Sequence, residues 1–126
     1  MLNVDKQMQA VTRALCTLRV PAAPAEYDLH KMGAAALDAA GIEARHEAPL
    51  GPRCRVDFLA GSVGIEVKRG APPRRRLMEQ AARYLKSDAL SALIVVTTRG
   101  VNLPRCVAGK PLVVFGLNRL WGVALP

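Results

Sequence analysis

A mixed α/β sheet with helices packed against it is the fold the sequence predicts, and three observations carry that expectation. Apolar residues at helical spacing open the chain. Three short strand-like runs then follow a second helix, two of them meeting at a Gly/Ser turn. A third helical stretch leads into "ALIVVTT", a continuous apolar run of the kind found in a strand covered on both faces. A short antiparallel meander followed by a crossover helix into a buried strand makes a single mixed sheet. At 126 residues the chain reads as one domain: an accessory N-terminal helix over 1–20, a core over 25–98, and a C-terminal strand and tail over 99–126.

Taken in order, Val4, Met8, Val11, Leu15 and Leu18 recur at three and four residues and predict an amphipathic helix. "VPAAPAE" ends it, because proline disfavours helix at and before itself. A second helix is expected from Glu26 to Ala40, with Gly41 as its stop. "IEARHEAPL", "CRVDFLA" and "SVGIEVK" read as three strands, the last two joined near Gly61. "RGAPPRRR" reads as a basic loop, and "RRLMEQAARYLKSDA" returns to helical period with Leu77, Ala81, Tyr84 and Leu85 on one face. "ALIVVTT" and "PLVVFGL" are the last predicted strands; the closing "NRLWGVALP" carries no clear pattern.

Composition narrows the class. Hydrophobic residues make up 51% of the chain, enough for an ordered core, and 18 Lys and Arg against 10 Asp and Glu give a net charge of +8. That balance favours an anionic partner, nucleic acid before a membrane surface. Cys16, Cys54 and Cys106 are widely spaced and odd in number, which gives no support to a zinc site or iron–sulfur cluster and fits a reduced, cytoplasmic setting. Asp5, Lys6 and Arg13 interrupt any signal-peptide core, and no run reaches the length of a membrane span, so no membrane partner is expected. With 4% aromatic residues, phosphate contact and nucleic-acid shape are better candidates than an extended base-stacking platform.

The chemistry concentrates in "RCRVDFLAGSVGIEVKRG", residues 53–70, where a core-like hairpin carries Asp57, Glu66 and Lys68. Residues 66 and 68 share a sheet face, and Asp57 reaches it from the neighbouring strand if the register suits. Two buried carboxylates a few ångströms apart repel each other unless a cation sits between them. Such a hard oxygen site suits Mg²⁺ or Mn²⁺ together with substrate phosphate. Lys68 adds positive charge where a phosphoryl transition state gathers negative charge. The plain alternative is a surface hairpin holding Glu66 and Lys68 as a weak pair. The arginines that follow, Arg69, Arg74, Arg75 and Arg76, with Arg83 and Lys86, are candidate phosphate contacts; a solvated charge run is their plain alternative.

Asp57 followed by "IEVK" at 65–68 and then a helix resembles the PD-(D/E)xK nuclease superfamily, over residues 25–98, with Val56 at the place of the nominal proline. The resemblance implies a restriction-endonuclease-like αβββαβ core within a single nuclease-like domain. It implies metal ligation by Asp57, Glu66 and the carbonyl of Val67, with Lys68 as the catalytic lysine. Gln80 and Tyr84, one helical turn apart in "QAARY", look like the Q-x-x-x-Y element of the RecB-like branch; the compact VRR-Nuc branch is an equal alternative. Superfamily members often carry an acid near the start of the first core helix. Glu26 fits that place, and His30, one turn on, is its rival as the helix ligand. The implied activity is Mg²⁺- or Mn²⁺-dependent hydrolysis of DNA phosphodiesters, structure-specific, in replication, recombination or repair, with a phage or mobile element as one setting. RNA stays open as the polymer, and a homodimer or a larger nuclease assembly as the working form. A DNA-binding module that keeps the fold and cuts nothing is the alternative from another class.

Overall fold

A computed structural model describes residues 3–18 and 26–117, apart from the side chains of residues 26 and 27. Among them, helices α1 (Val4–Leu15) and α2 (Glu26–Ala39) precede strands β1 (Arg45–Gly51), β2 (Cys54–Ala60) and β3 (Val63–Lys68). Helix α3 (Arg74–Leu85) then leads to β4 (Ala92–Thr97), β5 (Cys106–Val107) and β6 (Lys110–Gly116). The strands form one six-stranded mixed sheet in the order β1-β2-β3-β4-β6-β5. β1, β2 and β3 are antiparallel neighbours, whereas β3, β4 and β6 run parallel. α3 is the crossover that joining two parallel strands requires. The mixed α/β class expected from the sequence is therefore the observed one. Among the described residues no helix is long and apolar enough to cross a membrane.

The sheet separates two cores. On one face, Met8, Val11 and Leu15 of α1 and Leu29 and Leu37 of α2 pack with Phe58, Ile65, Val67, Ile94 and Val96. On the other, Leu77, Ala81, Tyr84 and Leu85 of α3 pack with Val56, Leu93 and Val95. The apolar stripe of α1 is thus filled by the domain's own sheet and α2. Asn3 caps α1 by accepting from the Asp5 N–H at 2.7 Å. Gly41 stops α2 as predicted: it takes a φ of 73°, its N–H donates to Asp38 O, and the next N–H, from Ile42, donates to Leu37 O. That pair of bonds is the Schellman arrangement, closed by the apolar contact it normally carries.

Three local expectations need correction. α3 begins at Arg74, one residue before the predicted helical stretch, so all three arginines occupy its first turn and the basic loop ends at Pro73. Pro73 is the N-cap and starts the helix without a side-chain cap hydrogen bond. The helix also stops at Leu85 instead of continuing through "SDA". Ser87 Oγ accepts from the Ala89 N–H at 3.2 Å and donates to Leu50 O at 3.3 Å, a local turn that competes with helix. Finally, β5 and β6 form a hairpin that had no turn signature. Ala108 and Gly109 both take positive φ, 55° and 76°, with alanine where Asn or Asp is the usual choice. The stretch "NRLWGVALP" lies outside the described residues.

β3 lies close to the β4 entry because Gly64 has no side chain. A Cβ there would stand 2.7 Å from Leu90 Cδ2 and 3.3 Å from Leu93 Cδ1, both leucines being buried. Gly64→Ala is expected to destabilise the protein by about 1–3 kcal/mol through overpacking. Urea unfolding measures this directly; an unchanged midpoint would show that Leu90 yields without strain.

Candidate functional site

The β2–β3 ladder runs Ala60↔Val63, Leu59↔Gly64 and Phe58↔Ile65, and goes no further. At the next step the carboxylates take over from the main chain. The Asp57 N–H donates to Glu66 Oε1 at 3.2 Å, and the Val67 N–H donates to Asp57 Oδ2 at 2.8 Å. Each acid therefore satisfies a backbone donor on the opposite strand that the ladder has released, which is what a buried N–H requires. The strands fork here, and both predicted acids stand in the fork.

Alternation along the hairpin breaks at the same level. His46 and Phe58 lie on the α2 side, where their rings stack at 4.9 Å, whereas Ala48 and Val56 lie in the α3 core. The register pairs His46↔Phe58 and Ala48↔Val56 bracket Glu47 and Asp57. Glu47 is exposed and has a φ of 51°, left-handed backbone that a non-glycine residue seldom adopts. Both strands thus change faces between one residue and the next, and Asp57 is left in the sheet plane, between the two cores.

Glu66 is 2% exposed. Burial, and then the neighbouring Asp57 charge, push its carboxyl above the ordinary glutamate range; Lys68 and the Asp57 N–H oppose that rise. Lys68 Nζ meets Glu66 Oε2 at 2.8 Å, with the lysine side chain 22% exposed. From α3, Gln80 Nε2 donates to the Tyr84 hydroxyl at 2.9 Å. Burial, the charges of Glu66 and Asp57, and a hydrogen bond to Glu66 hold that hydroxyl protonated, far above the usual tyrosine range. Asp57, Glu66, Lys68, Gln80 and Tyr84 therefore form one connected group, on the strands and helix where the sequence placed them. Val67 joins through its main chain.

His30 arrives from α2. Its Nε2 is 3.2 Å from Asp57 Oδ2 but not aligned as a hydrogen bond, so the atom is buried without a hydrogen-bond partner among the described residues. Its Nδ1 is 3.5 Å from His46 Nε2, and the two rings meet edge-on with centroids 5.6 Å apart. Glu26 opens α2, but its side chain lies outside the described residues. His46 was not among the predicted site residues. It follows a helix–loop connection to an edge strand, and only the tertiary packing brings it to His30.

Among the described residues, no three His, Cys, Asp or Glu side chains form a group that could hold a metal ion. The donors that a hard cation would use here are the two carboxylates of the fork. Two carboxylates share one fork, Glu66 is strained by its charge, and the orphaned His30 Nε2 lies 3.2 Å from Asp57 Oδ2. Mg²⁺ binds through one or two carboxylates while keeping its waters.

The predicted basic residues lie on the surface. Arg69, Arg74, Arg75, Arg76, Arg83 and Lys86 are all exposed. Arg74 Nε donates to Asn102 O at 2.9 Å, and Arg75 pairs with Glu79 at 3.4 Å in a solvent-exposed i,i+4 contact. The loop after β3 is tied to the end of β4, with the Gly70 N–H donating to Thr98 Oγ1 at 2.6 Å and the Arg99 N–H to Gly70 O at 3.2 Å. Comparison with protein-family models, curated proteins and solved structures returned no match.

A carboxyl raised on folding binds its proton more tightly in the folded than in the unfolded chain. Its stabilising contribution is full below the ordinary carboxylate range and is lost as pH rises through the raised value. At neutral pH Glu66 therefore costs stability relative to an uncharged side chain of the same shape. Glu66→Gln is expected to raise Tm by roughly 2–5 °C near pH 7. The difference should shrink as pH falls toward the ordinary glutamate value. Differential scanning calorimetry across pH checks both points, and a large loss of Tm in the variant would mean that the Lys68 pair outweighs burial.

Proposed function

We propose that the chain is a divalent-metal-dependent nuclease of the PD-(D/E)xK type, with a restriction-endonuclease-like core, hydrolysing DNA phosphodiesters. The observation that carries this reading is the fork in the β2–β3 ladder, which presents two carboxylates and a lysine together at the end of parallel strands. Open α/β sheets characteristically bind ligands at the carboxyl ends of their strands. The carboxyl of Glu66, raised by burial and by Asp57, agrees with it, since perturbed groups concentrate at functional sites.

Mg²⁺ or Mn²⁺, when bound, supplies Lewis-acid polarisation and an activated water. Asp57 and Glu66 would hold the ion, with the Val67 carbonyl and His30 or Glu26 as further ligands. Lys68 offsets negative charge on the phosphoryl group. Tyr84, aimed by Gln80, fixes the Glu66 carboxylate through a hydrogen bond. Arg69, Arg74, Arg75, Arg76, Arg83 and Lys86 contact phosphates. α3 supports that last role: its first turn has three arginines, no acidic residue and no side-chain cap, against the preference of a positive helix end. A sequence selected for helix stability alone would not place them there. Cutting both strands would use a two-fold dimer or a partner nuclease subunit.

The Lys68–Glu66 pair favours a second reading, a DNA-binding module of the same fold that cuts nothing. Incubation with single-stranded, nicked, branched and duplex DNA, with and without Mg²⁺ or Mn²⁺, separates the two. Metal-dependent cleavage is expected, and Asp57→Ala should reduce its rate by at least about a thousandfold, the scale of removing a charge-stabilising group from a catalytic centre. Cleavage without metal, or full activity in Asp57→Ala, would sink the nuclease reading; salt-sensitive binding without cleavage would establish the second.

The phosphate role has its own test. Arg76→Glu should weaken DNA binding uniformly across sequences and lower the slope of log K against log salt by about one or more. It should also raise Tm, because an acid suits the first turn of a helix. Fluorescence anisotropy over a salt series reads the first effect. An unchanged slope would remove Arg76 from the interface.

A further inference from the structure

Thr97 ends β4 at 0% exposure, yet its Oγ1 has no hydrogen-bond partner among the described residues. A buried hydroxyl left unsatisfied is costly and uncommon. Valine has nearly the same shape, suits a strand, and already occupies positions 95 and 96. Nothing in the packing of β4 asks for the oxygen.

Its position indicates what does. Leu93 and Val95 pack in the α3 core, so alternation puts Thr97 on that same face. Gly64 meets Leu90 and Leu93 there, so Glu66 and Lys68 share the face too. The parallel register pairs Thr97 directly with Lys68, and neighbouring strands lie about 4.8 Å apart. An unfilled acceptor therefore stands beside the lysine whose ammonium occupies Glu66 Oε2 at 2.8 Å.

A divalent cation and the lysine compete for that carboxylate. Resting on the nuclease reading above, we infer that Thr97 is a positioning residue for Lys68. When Glu66 is taken up by the cation, the Lys68 ammonium turns to Thr97 Oγ1 and donates a hydrogen bond to it. The hydroxyl holds the lysine off the carboxylates while keeping it at the site. Without that hydroxyl, Lys68 remains a competitor for Glu66.

The test is Mn²⁺ binding to the full chain without nucleic acid, read by electron paramagnetic resonance of free Mn²⁺. Thr97→Val should bind Mn²⁺ about tenfold more weakly, the scale of one hydrogen bond to a charged group. Thr97→Ser should stay within about twofold of the native chain. In a Lys68→Met background the valine substitution should have no further effect, because the competitor is gone. Tm without metal should not fall in Thr97→Val, since the hydroxyl has no partner to lose. Native Mn²⁺ affinity in Thr97→Val, an equal loss in the Lys68→Met background, or a marked fall in Tm would each overturn this role and leave the nuclease reading standing. A native chain that binds no Mn²⁺ would overturn the metal-dependent reading, and the role of Thr97 with it.

Discussion

The site depends on a reciprocal exchange between two strands: each carboxylate holds the backbone of the strand opposite. Asp57 accepts from Val67, and Asp57's own N–H is held by Glu66. Ending a ladder inside a sheet releases backbone donors that nothing apolar can satisfy. The two acids supply the acceptors, so they serve the strands as much as any ligand. That is why charge is tolerated within a hairpin otherwise made of Val, Phe and Ile. The cost falls on Glu66, which is buried next to a second negative charge and only partly relieved by Lys68.

The remaining parts settle around that cost. Tyr84, held by Gln80, reaches down from α3 to Glu66, and His30 approaches Asp57 from the opposite layer. The fork is thus contacted from both cores at once, by a phenol on one side and an imidazole on the other. Outside it, arginines crowd the positive end of α3. Local rules of stability are broken at Glu66, at Thr97 and at the α3 start, all near one end of the parallel strands. Concentrated violation of this kind is characteristic of functional regions rather than of poor folding.

Much of this was legible in the sequence, for identifiable reasons. Glu66 and Lys68 are two residues apart and a short turn returns the chain to Asp57, so period-two geometry alone brings the three together. Gln80 and Tyr84 needed only a helical turn. What escaped was whatever depends on a break in period or on distant packing. Strict alternation puts Val56 and Phe58 on one face, and only the left-handed Glu47 reveals that they lie on opposite ones. Thr97 reads as an ordinary β-former in an apolar run; its unsatisfied oxygen shows only once burial is known. Arg74 looks like a loop residue until Pro73 is seen to start a helix directly before it.

The change of face at Glu47 and Asp57 also divides the β1–β2 hairpin into two halves with separate allegiances. The half nearer the 51–54 turn belongs to the α3 core, the other to the core of α1 and α2. Residues added or removed at the turn itself leave the pairing around Asp57 as it is. Losing one residue between Glu47 and the turn would shift edge strand β1 against β2 and move His46 off Phe58. For anyone grafting a loop or label into this protein, the hairpin tip is a tolerant position, and the few residues behind it are the calibrated length that keeps His46 on Phe58.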